Sequence, residues 1–390
     1  MTEAMVKNAT PHNTKGDVFT SYNVEDFDVP RGRDEVWRFI SLRALRGLHN
    51  GTFAEQIDAD INVDVPGGAG SVTVERIAKD DPRAKAAGAP ADRVAAQAWT
   101  SMDDPTLVSV AKDAQVEDPI KVTTTGHGAD KTAFGGIVVE LGAHAKATVV
   151  LAYRGSATYA DNVHFVLGDA AELTVVTDCD WENDTVHLSN HQVAVGKDAK
   201  LNHSVATFGG EIVRIVPRVR FTAQGGDVEM LGVYFADDGQ YFENRLLVDH
   251  SEPNCKSNVL YKGALQGDKE TRTEARTCWV GDVLIRSNAS NTNTYEANRN
   301  LVLSEGARAD AIPNLEIETG DIPGAGHAAT VGRFDDMHLF YLMSRGIPEA
   351  EARRLIVHGF FTEVINKIPV EYVREELEKR VTEELEHVVI

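Results

Sequence analysis

The chain has 390 residues, 42% hydrophobic and 25% charged, a composition ordinary for a globular protein and long enough for two or three domains. A formal net charge of −21 leaves no basic surplus to displace counterions, which argues against nucleic acid and anionic membranes as partners. No apolar run is long enough to span a bilayer, the first residues lack an apolar signal core, and Cys179, Cys255 and Cys278 are too scattered for a disulfide framework, so a cytoplasmic protein is expected.

Residues 1–30 are polar and read as an extended lead. Val36, Trp37, Ile40, Ala44 and Leu48 then recur at helical spacing, predicting a helix from Arg33 that ends at Gly47 and Asn50-Gly51. Ile61, Val63 and Val65 alternate as a short strand stopped by Pro66-Gly67-Gly68. Ala84–Gln97 is Ala-rich and helical in pattern, interrupted around Gly88 and Pro90. This first region, 1–124, is mixed α/β, and nothing in it has a catalytic pattern.

From about Lys121 short apolar bursts alternate with regular punctuation. Gly142-Ala-His-Ala, Gly168-Asp-Ala-Ala and Gly196-Lys-Asp-Ala open turns of one form, with a degenerate copy at Gly225 and a clear one at Gly306. The first four glycines lie 26, 28 and 29 residues apart, and the last lies 81 further on, near three more periods. Glycine is expected at these turns because it accepts positive φ, with the small Ala pointing into a crowded corner. Stacked coils of this length would bury a continuous core that no single coil can make. A mostly β fold follows, a right-handed β-helix (β-solenoid) over 125–318, with a β-sandwich of similar turns as the alternative.

The pattern turns helical after Gly320–Gly332, a Gly- and Ala-rich loop whose titratable side chains are Asp321 and His327. Asp335 or Asp336 can cap a helix ended by Gly346, and Pro348 opens a second with an apolar stripe of Leu355, Ile356, Phe360, Val364 and Ile368. A third places Val370, Val373, Leu377, Val381 and Leu385 on one face. The expected 319–390 unit is a helical cap.

No P-loop, dinucleotide fingerprint, nucleophile elbow, C-x-x-C or H-E-x-x-H occurs, so the chain is not expected to be an enzyme. His187 and His191 share a strand face and His203 follows in the next coil, a possible metal set, although hydrogen-bonded strand histidines are commoner. Cys255 and Cys278 would lie about one coil apart, as cluster ligands or as small buried hydrophobes. Asp178, Asp180, Glu182 and Asp184 share one side by parity, the acid supply that a β-helix carbohydrate-active enzyme would need. An open solenoid edge could also serve a homodimeric interaction protein.

Asn300-Leu-Val-Leu-Ser-Glu-Gly-Ala, Pro313-Asn-Leu-Glu-Ile, His327-Ala-Ala-Thr-Val-Gly and Leu339-Phe-Tyr-Leu-Met-Ser-Arg-Gly-Ile, with His250-Ser-Glu-Pro, Ser257 and Tyr261-Lys-Gly upstream, resemble the SufB/SufD family of iron–sulfur cluster assembly scaffolds over roughly 125–370. The early Arg33-Asp-Glu-Val-Trp-Arg and the H-A-A-T-V-G form, where SufB usually has H-E-A-T-T, resemble the SufD side. The resemblance implies a β-helix flanked by helical regions, a complex with a SufB-type subunit and two copies of the SufC-type ATPase, and a homodimer when the chain is alone. It implies that the C-terminal helices dock SufC, for which Phe340, Tyr341, Arg345 and Gly346 are the candidates. It also implies that His327 lies at the SufB interface and helps to ligate iron or a transient iron–sulfur cluster shared with the partner, with no cofactor held stably by this chain. Many SufD proteins carry cysteine two residues before this histidine; here Ala325 stands there, so His327 would act with SufB residues.

Overall fold

The apolar bursts become parallel strands stacked in two ladders. The computed structural model describes residues 14–68, 70–267, 273–333 and 336–386. One ladder runs through Glu172–Trp181, Lys200–Thr207, Asp227–Ala236, Lys256–Leu265, Asn293–Val302 and Gly324–Arg333. The other runs through Val186–Val195, Ile212–Phe221, Tyr241–His250, Ala275–Ile285 and Ala307–Ile317. Two longer strands, Ile120–Leu141 and Lys146–Leu167, bend at a corner and serve both ladders. The result is a parallel β-solenoid of about eight coils, as the repeat predicts.

Both faces of each ladder are covered, which explains strands as continuously buried as Val186–Val195. The lumen between the ladders holds one apolar core, including Val149, Phe165, Leu201, Met230 and Val259. The N-terminal region lies on the outer face of the second ladder: Trp37, Ile40, Leu45, Val94 and Trp99 pack on Phe134, Val138, Leu188 and Ile212. Its helices are α1 (Pro82–Lys85) and α2 (Arg93–Ser101), the latter capped by the Asp92 side chain, which accepts the Ala95 N–H. The helix expected from Arg33 is absent. Turns and one 3₁₀ turn, Leu42–Leu45, carry the same apolar residues, ending in left-handed Arg46 and Gly47.

The C-terminal helices α3 (Asp336–Ser344), α4 (Glu349–Ile365) and α5 (Glu371–Glu386) follow. Asp335, a candidate cap, lies outside the described residues. These helices do not cap the solenoid. Phe361, Val364, Ile365, Val373, Leu377 and Val381 pack along the outer face of the first ladder, against Leu231, Phe235 and Leu260. Ion pairs fasten them: Lys262 Nζ to Glu363 at 2.5 Å, Lys367 to Glu229 at 3.0 Å, and Arg380 to Asp178 and Asp180 at 3.1 and 3.0 Å. The buried stripe of α4 is rotated from the expected one, since Leu355 is exposed while Ala352 and Val357 are buried. The ladders extend from Ile120 to Arg333, so the stretch read as a loop, 320–332, largely forms the last strand of the solenoid.

The repeated glycines have a different cause from the one expected. Left-handed φ falls at His144, Ala170 and Asp198, two residues after Gly142, Gly168 and Gly196, and at the glycine itself only in the later copies Gly225 and Gly306. Gly142, Gly168 and Gly196 are needed because the previous coil passes too close for a side chain: a β-carbon at Gly196 would lie 2.5 Å from the Leu167 carbonyl oxygen. The corner alanines Ala145, Ala171 and Ala199 are fully buried, as expected.

Gly196→Ala should therefore lower stability by about 1–3 kcal/mol through overpacking, seen as a lower urea midpoint at unchanged slope. Gly332→Ala, where a β-carbon meets nothing within 4 Å, should leave the midpoint unchanged.

Candidate functional site

One inward column runs the length of the first ladder. In register, Ile120, Val149, Val175, His203, Met230, Val259, Glu296 and His327 stand one above another. Every member up to Glu296 is fully buried by the coil that follows. His327, on the edge strand Gly324–Arg333, has no further coil above it among the described residues, and its side chain is 45% exposed. The sequence-predicted histidine thus sits at the mouth of the solenoid, on a strand.

Beneath it lies a residue that sequence reasoning missed. The Glu296 side chain has no exposure, and its carboxylate oxygens make no hydrogen bond of good geometry among the described residues, although the Asn314 peptide N–H approaches them. Its Oε1 is 3.8 Å from His327 Nδ1, beyond hydrogen-bond range. The carboxyl reaches towards the opposite ladder at Gly281, where a β-carbon would lie 2.4 Å from Oε2 and 2.3 Å from the Trp279 ring. Burial, then the charge of Asp282, raises Glu296 to about 8, with the nearby Asn314 peptide acting in the opposite direction. The acid is accordingly neutral at physiological pH.

Lower in the lumen some polar groups pair with one another, while others, such as the Tyr159 and Tyr261 hydroxyls and Trp279 Nε1, make no hydrogen bond of good geometry among the described residues. Trp181 Nε1 donates to His187 Nδ1 at 3.1 Å, so the other His187 nitrogen carries the proton and faces Asp161 at 3.4 Å, where the Tyr153 hydroxyl also donates at 2.8 Å. His191 Nδ1 meets His203 Nε2 at 2.9 Å. The three histidines considered as a metal set therefore belong to two separate buried groups. Among the described residues no cluster of three or more metal-ligating side chains forms. Cys255 and Cys278 are buried and free, Cys255 in the turn before Lys256–Leu265 and Cys278 on the other ladder in Ala275–Ile285; burial raises both thiols, Cys278 to about 12. Of the acids considered for glycan chemistry, Asp178 and Asp180 hold Arg154 and Arg380.

The α3 candidates are at the surface. Phe340 and Tyr341 are 73% and 55% exposed, with Met343 exposed nearby, while Leu339 on the opposite side is buried. The exposed Arg345 guanidinium lies 5.1 Å from the Tyr341 ring centroid, and Gly346 ends the helix at φ 87°. Among the described residues no helix is long and apolar enough to cross a membrane.

The raised acid gives a pH dependence with a definite sign. Folding takes up a proton at Glu296 wherever the unfolded carboxyl is ionised, so this residue makes stability fall as pH rises from about 4.5 to about 8. Glu296→Gln removes that dependence. Between pH 5.5 and 7.5 the wild type should lose about 2 kcal/mol more than the variant in urea unfolding. Parallel curves would refute the assignment of Glu296 as the titrating group.

Comparison with known proteins agrees with the architecture. The description "SUF system FeS cluster assembly, SufBD core domain" matches residues 122–360. A Mycobacterium tuberculosis iron–sulfur cluster assembly SufBD family protein is 56% identical over 376 residues, 96% of this chain and 94% of the relative. A Mycobacterium leprae member of the family is 53% identical over 95% of this chain and 94% of its own length. The Bacillus subtilis iron–sulfur cluster assembly protein SufD is 30% identical over 276 residues, 69% of this chain and 61% of that protein. With solenoid, ordered motifs and matches in accord, this chain belongs to the SufBD family of iron–sulfur cluster assembly proteins and is SufD-like.

Proposed function

We propose that this chain is the non-ATPase, SufD-type subunit of a scaffold in which a SufB-type subunit and a SufC-type ATPase assemble iron–sulfur clusters in the cytoplasm. The observation that carries the reading is the mouth of the solenoid. Two edge strands, Ala307–Ile317 and Gly324–Arg333, each have one ladder neighbour, and His327 is exposed between them and solvent. Unpaired strand edges favour a partner, here the SufB-type subunit in the complex and a second copy of this chain when it is alone. His327 then supplies an imidazole to iron or a nascent cluster whose other ligands come from the partner. The cluster is cargo and product, not a resident cofactor. ATP hydrolysis falls to the SufC-type subunit, since this sequence contains no P-loop.

Phe340, Tyr341, Arg345 and Gly346 form the docking point for that ATPase, exposed aromatics beside an arginine being typical binding anchors. No observation favours glycan hydrolysis, because the pertinent Asp178 and Asp180 are held in ion pairs.

Co-expression with SufB- and SufC-type partners tests the reading. His327→Ala should leave complex yield unchanged and sharply reduce bound iron and sulfide; normal cluster content would remove His327 from the chemistry. Phe340→Ala with Tyr341→Ala should weaken ATPase binding by about 30-fold or more, equivalent to about 2 kcal/mol, with little effect on folding of the exposed helix. Undiminished binding would move the docking site elsewhere. Alone at micromolar concentration the chain should sediment as a dimer, and a monomer would refute the edge-pairing.

A further inference from the structure

We infer that Glu296 and His327 together bind one divalent transition-metal cation at the mouth of the solenoid, the carboxylate reaching it from inside the lumen. The inference rests on the functional reading above for the identity of the cargo, iron(II), and on geometry for the site itself.

The buried carboxylates elsewhere in the molecule have clear structural partners. Glu243 receives Arg214, Arg245 and the Tyr241 hydroxyl; Asp161 receives Tyr153 and faces His187; Asp249 holds Arg286; Asp178 holds Arg154 and Arg380. Glu296 is as deeply buried, yet its oxygens make no hydrogen bond of good geometry among the described residues, where the Asn314 peptide N–H is the donor that approaches them. A carboxyl enclosed in this way is destabilising by several kcal/mol relative to an apolar residue of similar shape. Gly281, where a β-carbon would lie 2.3 Å from the Trp279 ring and 2.4 Å from Oε2, leaves room for both side chains.

The two side chains are spaced for a shared cation. Glu296 Oε1 and His327 Nδ1 are 3.8 Å apart, and two ligands on one metal with bonds of about 2.1 Å stand about 3.0–3.4 Å apart. A small rotation of the half-exposed imidazole closes the difference. Ala307, Ala309 and Ala325, with Leu315 and Ile322, pack against the lumen core at this end of the solenoid. Solvent at the exposed imidazole, or groups of a partner, completes the coordination shell. One imidazole with one carboxylate suits iron(II), manganese(II), cobalt(II) or zinc, and not copper(I), which prefers thiolate. Ala325, two residues before His327, offers no donor, so the set holds oxygen and nitrogen ligands.

The test uses the whole chain alone, titrated anaerobically with cobalt(II), followed by its visible absorption and by calorimetry, and then by competition with iron(II). The wild type should take up about one equivalent. Glu296→Gln, which matches the neutral acid in shape, and His327→Ala, at an exposed position, should each weaken binding at least tenfold while keeping the urea midpoint at pH 5.5 within error of wild type or above it. No uptake by the wild type at millimolar cobalt, or equal affinity in Glu296→Gln, overturns the inference. If Glu296→Gln binds normally and His327→Ala does not, Glu296 falls as a ligand and the scaffold reading with His327 stands. Failure of the wild-type chain to bind the SufB- and SufC-type partners would instead count against the scaffold reading and leave this result untouched.

Discussion

The structure depends on one stacking constraint: each inward side chain in a coil is sealed by the corresponding side chain of the next. Val149, Val175, His203, Met230 and Val259 show it in a single column, each with no solvent exposure. Stacking also sets the turns. Gly142, Gly168 and Gly196 have no room for a β-carbon, and Ala145, Ala171 and Ala199 fill the corners without pushing the coils apart. A coil needs its neighbour, so stability is built along the axis, layer on layer.

A stack must end, and the last layer inherits a problem that the others solve. Flanking elements deal with the outer faces: Trp37 and Trp99 cover one ladder, Phe361 and Leu377 the other, with Arg380 and Lys262 as charged clasps. They lie along the sides and leave the mouth uncovered. Glu296 therefore lies under a lid made of one imidazole, and His327 faces solvent. Polar groups lower down, such as Asp161 with Tyr153, find partners within the lumen; Glu296 has its partner position at the surface, where a ligand or a second protein can occupy it.

The solenoid was legible because its period is written in turn residues, which sequence displays directly. The physical reason for the glycines was not, since contact with the preceding coil depends on residues about 28 positions away. The last strand, Gly-Ala-Gly-His-Ala-Ala-Thr-Val-Gly-Arg, lacks the apolar burst of the others because among the described residues no coil follows for its inward face to bury against, and so it reads as a loop. The stretch from Arg33 to Leu48 failed in the opposite sense: its helical spacing is real, but Arg46 and Gly47 in left-handed conformation fold it back on Phe134 and Leu188 as turns. His327 was found through family motifs. Glu296 had no such signal, for in Asn293-Thr-Tyr-Glu-Ala-Asn-Arg-Asn polar residues alternate on both faces, and only register with Val259 and His327 puts the acid inside.

Separation of the two functional surfaces follows from the same geometry. The aromatic patch of α3 belongs to the helical layer, which binds the side of the stack through α4 and α5, whereas His327 belongs to the final coil. Gly324–Arg333 leads within a few residues into α3, so force applied to that helix is delivered to the strand that carries His327. Because this strand, like Ala307–Ile317, has a ladder neighbour on one side only, it is less restrained by backbone pairing than the inner strands. Under the proposed reading, a partner docked on α3 is adjacent in sequence to the strand that carries the imidazole, whereas the Glu296 strand is held between those of Val259 and His327.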